Sequence, residues 1–147
     1  MKQTKSAAGE IEQRRRSWLY AIPAVIVMAV IFIFSAQTGD ELNTFLPWFR
    51  ELFPGMTNFD WGHFIAYFLL ALAIDFGFGS KADSWKYKVL IVALCGLYGV
   101  TDEFHQSFVG GRTPDIHDIR NDCIGGALAM LVIAVPAVRK WWRKLTS

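Results

Sequence analysis

The chain has 147 residues, 53% hydrophobic, 15% aromatic and 19% charged, with a formal net charge of +2. Its apolar residues come in long blocks rather than at amphipathic spacing, which argues against an ordinary soluble domain and is the pattern of membrane-spanning helices. Cys95 and Cys123 lie in different apolar runs with no Cys-x-x-Cys or framework spacing, so a disulfide scaffold is excluded. Both read as small apolar fillers at different depths, unpaired.

Taken in chain order, residues 1–17 form a basic cytoplasmic tail with Lys2, Lys5 and the run Arg14-Arg15-Arg16. Three arginines directly before an apolar run read as a positive-inside anchor rather than as a nucleic-acid patch. Residues 18–36 are the first expected span, about the length that crosses ~30 Å of hydrocarbon. The run is long for a signal-peptide core, and cleavage after Ala36 would leave bulky Phe34 where a small residue is wanted, so the segment reads as retained. In residues 37–60, Leu42, Phe45, Leu46, Phe49, Leu52 and Phe53 recur at helical spacing against a charged face. This predicts a short amphipathic helix on the membrane surface, broken at Pro47.

Residues 61–78 are the second span, with His63 and Tyr67 one turn apart, and residues 88–108 are the third. Asp75 is expected to partner one of Lys81, Lys86 and Lys88 across the short connector. Residues 118–138 form the fourth span, and residues 139–147 are a second basic tail in which Trp141 and Trp142 supply an aromatic belt. The fold class is thus an all-α membrane bundle of four transmembrane helices, spanning residues 18–138 as one domain. The basic residues of the two tails and the 79–88 connector far outnumber those on the opposite side, Arg50, Arg112 and Arg120. Both termini are therefore expected in the cytoplasm of a multi-pass plasma-membrane protein.

Threaded this way, the polar residues converge at the outer end of the bundle. Asp102, Glu103, His105 and Gln106 close the third span, and Asp118, Asn121 and Asp122 open the fourth. Each ionisable group at membrane depth costs roughly 2.5–3.5 kcal/mol, and Asp102 lies about 9 Å inside its span by helix rise. Tyr98, Asp102, His105 and Gln106 share one helical stripe, while Glu103 lies beside Gly96 and Gly99. Asp118, Asp122, Gly125 and Ala129 align on the next helix.

The loop at residues 110–115 offers Thr113 as an N-cap and Pro114 in the first turn, next to Arg112. Such a helix start attracts an anion, yet Asp115 and Asp118 already place negative charge there. A phosphate would be received only if a divalent cation bridged it, and the Asp/Glu/His set offers ligands without any zinc motif.

Ser35-Ala36-Gln37, His63-Phe64-x-x-Tyr67, Asp102-Glu103-Phe104-His105-Gln106-x-Phe108, Gly111-Arg112 and Asp118-x-x-x-Asp122-x-x-Gly125 together resemble the VanZ-like family of small membrane proteins. The resemblance runs from the first span to the end of the fourth. It implies a cell-envelope protein, since the name-giving member is associated with resistance to the glycopeptide teicoplanin. The chain departs from the pattern at Trp61-Gly62, where a lysine is expected before His63, and in the additional His117.

Three readings of the polar layer follow. It binds a lipid or glycan headgroup, that of a membrane lipid or lipid-linked envelope precursor, through His63, Tyr67, Gln106, Arg112, Asp118 and Asp122. Alternatively, it is the site of a membrane-embedded enzyme with His105 as acid/base and Asp102 or Glu103 orienting it or holding a cation. In the third reading the charges are only salt-bridged glue between helices. No nucleophile–base pair is legible, and nothing in the sequence specifies an oligomeric state.

Overall fold

A computed structural model describes residues 19–38 and 60–146, together with Glu41, Thr44, Pro47 and Glu51. The basic tail at 1–17 and most of the expected surface helix lie outside the described residues. Its four described positions are helical and exposed. The Thr38 amide donates to the Glu41 carboxylate at 2.8 Å, and the Glu41 amide donates back to the Thr38 hydroxyl at 3.3 Å. This reciprocal pair is a capping box, which opens a helix at that point.

Every element formed by the described residues is helical: α1 (Ile22–Ser35), α2 (Asp60–Phe78), a 3-10 turn (Gly79–Asp83), α3 (Trp85–Gln106), α4 (Ile116–Ala134) and α5 (Pro136–Leu145). α2 packs most extensively on α4, α4 packs in turn on α3, and α1 lies against α2 and α3. The core is built from Ile31, Tyr67, Leu70, Ile91, Cys95 and Met130. The close α2–α4 approach depends on Gly125, where an added Cβ would lie 2.5 Å from the Phe64 carbonyl oxygen. Between α3 and α4, the Cys123 sulfur fills the space over Gly96 and the Cys95 sulfur that over Gly126. Both cysteines are free thiols, but they face one shared contact instead of lying at separate depths.

The outward faces remain strongly apolar, with Val25, Ile26, Phe32 and Ile33 on α1, Leu69 on α2, Val89 and Leu97 on α3, and Leu128 and Leu131 on α4 all exposed. By length and composition, the 23-residue segment Trp61–Asp83 can cross a membrane, and so can α4 with α5 if that bent pair counts as one span. α1 is apolar but has only 14 residues.

Two boundary expectations are corrected. The expected fourth span to residue 138 instead ends at Ala134, and α5 turns away by 95°. Pro136 opens α5, and Val135 before it is extended with ψ 123°, because a proline ring disfavours helical geometry in the preceding residue. The N-cap of α4 is Asp115 rather than Thr113: its side chain accepts from the His117 amide at 2.8 Å. Cap and pyrrolidine are thereby kept apart, with Pro114 upstream of the helix instead of in its first turn.

The turn before α5 also corrects the expected partner of Asp75. That carboxylate is fully buried and binds the Arg143 guanidinium through both oxygens, at 2.6 and 3.2 Å, with Trp142 Nε1 donating at 2.8 Å. Arg143 also donates to Asp83 at 3.0 Å. Burial alone would depress the guanidinium's pKa, but the hydrogen bonds and charges of Asp75 and Asp83 outweigh it and raise it above the ordinary arginine value. Lys81 and Lys86 are exposed, and Lys88 is buried with its amine unpartnered among the described residues.

Candidate functional site

The other end of the bundle gathers polar side chains from four helices. Ser35 ends α1, and its hydroxyl donates to Asp102 on α3. Gln106, one turn on, donates to the other Asp102 oxygen at 3.1 Å, and its own carbonyl accepts from Arg112 Nε at 3.1 Å. This relay exists because positions 102 and 106 share a stripe of α3, as the spacing predicts, and because the turn through Gly111, at φ 74°, brings Arg112 back over the helix end. Glu103 on the adjacent stripe uses one oxygen to accept from the Asp115 amide at 2.7 Å. It thereby pins the start of α4 to the end of α3.

α2 and α4 supply the second half. His63 Nδ1 lies 2.9 Å from Asp122 Oδ1, and its Nε2 is 3.8 Å from Asp118 Oδ2. The two aspartates are one turn apart on α4, so a single imidazole on α2 can face both. Gly99 on α3 leaves room for the Asp122 side chain, whose second oxygen would clash with any Cβ there. The His63 ring runs nearly parallel to Tyr67, at 9° and 6.3 Å between centroids, and Tyr67 tilts against Tyr98 at 6.2 Å. Tyr98 itself is bound to the Met28 carbonyl on α1 at 2.7 Å.

Asp102, Glu103, Gln106, Asn121, Asp122 and Tyr67 are buried, whereas His63, Asp118 and Arg112 are partly exposed and form a rim. Among the described residues, Tyr67 Oη, Glu103 Oε1 and Asp122 Oδ2 are buried without a hydrogen-bond partner. A ligand atom from each of His63, Asp102 and Glu103 can lie within 4.8 Å of the other two. Negative charge dominates: Asp102, Glu103, Asp118 and Asp122 face one imidazole, and among the described residues Arg112 joins through Gln106.

His63, Tyr67, Asp102, Glu103, Gln106, Arg112, Asp118 and Asp122 thus come together in one polar layer. His105 stands apart. Its ring stacks on Phe32 of α1 at 4.1 Å, and its Nδ1 has no hydrogen-bond partner among the described residues. Among the described residues no carboxylate bonds to it, whereas Asp122 holds His63 as an acid/base pair would need. The role of Asp115 as both helix cap and partner of Glu103 was missed from sequence. The signal was present in Thr-Pro-Asp, where an aspartate two residues before a helical amide is an ordinary cap.

A family model described as VanZ/LLP1 matches residues 20–137. An uncharacterized protein of Schizosaccharomyces pombe (strain 972) is 32% identical over 108 residues, which cover 72% of this chain and 59% of the relative. The chain therefore spans little more than half the length of that relative. No solved structure matches the chain.

Proposed function

The chain belongs to the VanZ/LLP1 family, and on that footing we propose that it is a cell-envelope membrane protein with four spans and both termini in the cytoplasm. Its outer polar layer binds the headgroup of a membrane lipid or of a lipid-linked glycan precursor. The exposed apolar faces of α1 to α4 suit lipid contact. At the opposite end α5 lies crosswise, with Arg139, Lys140 and Lys144 beside Trp141 and Trp142 as an interfacial anchor.

The observation that carries the headgroup reading is the unused bonding capacity. Tyr67 Oη, Glu103 Oε1 and Asp122 Oδ2 are buried without partners among the described residues, below a rim formed by His63, Asp118 and Arg112. A cluster retained only to hold helices together would spend its donors and acceptors internally, because a buried unsatisfied polar group costs ~1–3 kcal/mol. Arg112 is the group suited to a phosphate or carboxylate of the ligand, and the carboxylates suit hydroxyl or ammonium groups.

The enzymatic alternative, action on a lipid-linked substrate, is favoured by His63 with Asp122 rather than by His105 with Asp102 or Glu103. Ser35 donates to a carboxylate rather than to a histidine, so it is not paired as an activated nucleophile. The link between the family and glycopeptide resistance makes teicoplanin susceptibility the natural cellular readout.

The test is native mass spectrometry of the full chain in mild detergent, with phosphatidylglycerol, phosphatidylethanolamine and a polyprenyl phosphate offered in equal amounts. Selective retention of one lipid, lost in Arg112→Gln and Asp118→Asn but kept in His117→Gln, is expected. Equal, weak retention of all three by every variant removes the headgroup reading.

A further inference from the structure

We propose that His63, Asp102 and Glu103 form a binding site for a divalent cation, with Asp122 orienting the imidazole. The inference deepens the headgroup reading: a cation held there would accept the anionic group that the surplus of carboxylates otherwise repels.

Geometry is the first support. The three residues stand on two helices, and a ligand atom from each can come within 4.8 Å of the others. Ligands of one ion at about 2.1 Å lie roughly 3.4 Å apart in tetrahedral geometry, so rotamer-scale movements close the set. The state of the imidazole is the second. A metal-binding histidine characteristically donates its other ring N–H to a carboxylate, which fixes the tautomer. His63 Nδ1 is 2.9 Å from Asp122 Oδ1, and donation there leaves the Nε2 lone pair as the ligand. Asp118 Oδ2 stands 3.8 Å from that nitrogen, beyond hydrogen-bond range but close enough to join the ion's coordination shell.

The unpartnered oxygens are independent of the acidic clustering. Glu103 is 95% buried by its 5% exposure; its Oε2 is fixed by the Asp115 amide, and its Oε1 has no partner among the described residues. Asp122, with no exposure at all, also has an oxygen without a hydrogen-bond partner among the described residues. Asp102 accepts from Ser35 and Gln106, and each of its oxygens retains a second lone pair for a metal. Carboxylates in this number beside a single imidazole need positive charge or protons, and a divalent ion supplies the charge directly. Two carboxylate oxygens with one imidazole suit Mn²⁺ or Zn²⁺, and the absence of thiolate from the set argues against softer ions.

The experiment uses the full chain in mild detergent, stripped with a chelator and titrated with Mn²⁺ alone under electron paramagnetic resonance, then challenged with Zn²⁺. One saturable Mn²⁺ per chain is expected, displaced by Zn²⁺, with pulsed measurements showing coupling to a histidine nitrogen. Glu103→Gln and His63→Gln should weaken binding more than a hundredfold and His63→Gln should erase the nitrogen coupling. Asp122→Asn, which only positions the ring, should weaken binding roughly tenfold to a hundredfold. His117→Gln should change nothing. Absence of saturable Mn²⁺ binding, binding without nitrogen coupling, or undiminished binding by folded Glu103→Gln overturns the site. Should a variant fail to fold, nitrogen coupling in the wild-type chain still decides. The Mn²⁺ titration contains no lipid, so saturable Mn²⁺ binding beside equal, weak lipid retention in the mass-spectrometry test would remove the headgroup reading and leave the cation site standing.

Discussion

Replacing Arg143 by methionine should cost about 3 kcal/mol of stability, nearly all of it through Asp75. The Arg143 side chain is 14% exposed, and Asp75 is fully buried, accepting two of the guanidinium's bonds and one from Trp142. Methionine keeps the stem but strands the carboxylate with only the indole N–H. Removing one partner of a buried ion pair typically costs ~3–5 kcal/mol, and the lower end applies because Trp142 remains. The arm to Asp83, whose side chain is 36% exposed, adds at most ~1 kcal/mol. For a chain of this size ~3 kcal/mol lowers the melting midpoint by about 9 °C. Tryptophan fluorescence during thermal unfolding in mild detergent measures it. In an Asp75→Asn background the same arginine change should cost less than half as much, since no charge is left behind. A loss below about 1 kcal/mol in the first case, or equal losses in both backgrounds, would refute the reasoning that α5 is strapped to α2 through a buried pair.

Gly125→Ala should destabilise the α2–α4 contact by about 1–3 kcal/mol, because its methyl meets backbone at Phe64 rather than a side chain able to rotate; thermal unfolding reads this directly. Glu41 is held below the ordinary carboxylate pKa, first by the Thr38 amide and then by its hydroxyl. The capping box is therefore fully formed above the ordinary glutamate pKa and is lost as pH falls through the depressed value. Amide protection at Glu41, corrected for intrinsic exchange rates, should drop on acidification, and Thr38→Ala should remove the pH dependence. Single cysteines at Ser6, Asn43 and Thr113, in a chain lacking Cys95 and Cys123, should be labelled from outside only at the last two positions. Labelling at Ser6 alone would reverse the proposed topology.

Much of the polar layer was legible because helical periodicity decides which side chains can meet. Asp102 with Gln106, and Asp118 with Asp122, follow from i, i+4 spacing before any tertiary contact is known. The helix identities were also legible, since apolar blocks with polar ends leave few alternatives. What spacing cannot supply is the partner across helices. Asp75 and Arg143 are 68 residues apart, and their meeting depends on the bend at Val135-Pro136. The expected span to residue 138 runs straight through Pro136, whose effect on the extended Val135 is what ends the helix early. The sequence puts forward His105 as the acid/base and His63 as a ligand-binding residue, and the structure reverses their suitability for the reactive role. They separate only because His105 turns toward Phe32 of α1 and His63 toward the α4 aspartates.

The central claim, that the polar layer is a ligand site and not glue, is tested most directly by the melting midpoint of Tyr67→Phe with and without the retained lipid. Tyr67 Oη is buried and unpartnered among the described residues, so the hydroxyl is a stability cost of ~1–3 kcal/mol in the lipid-free protein. A ligand site predicts that Tyr67→Phe melts at or above the wild type without lipid and loses most of the lipid-induced rise. A variant that melts well below the wild type without lipid, yet keeps the full rise when lipid is added, would contradict it.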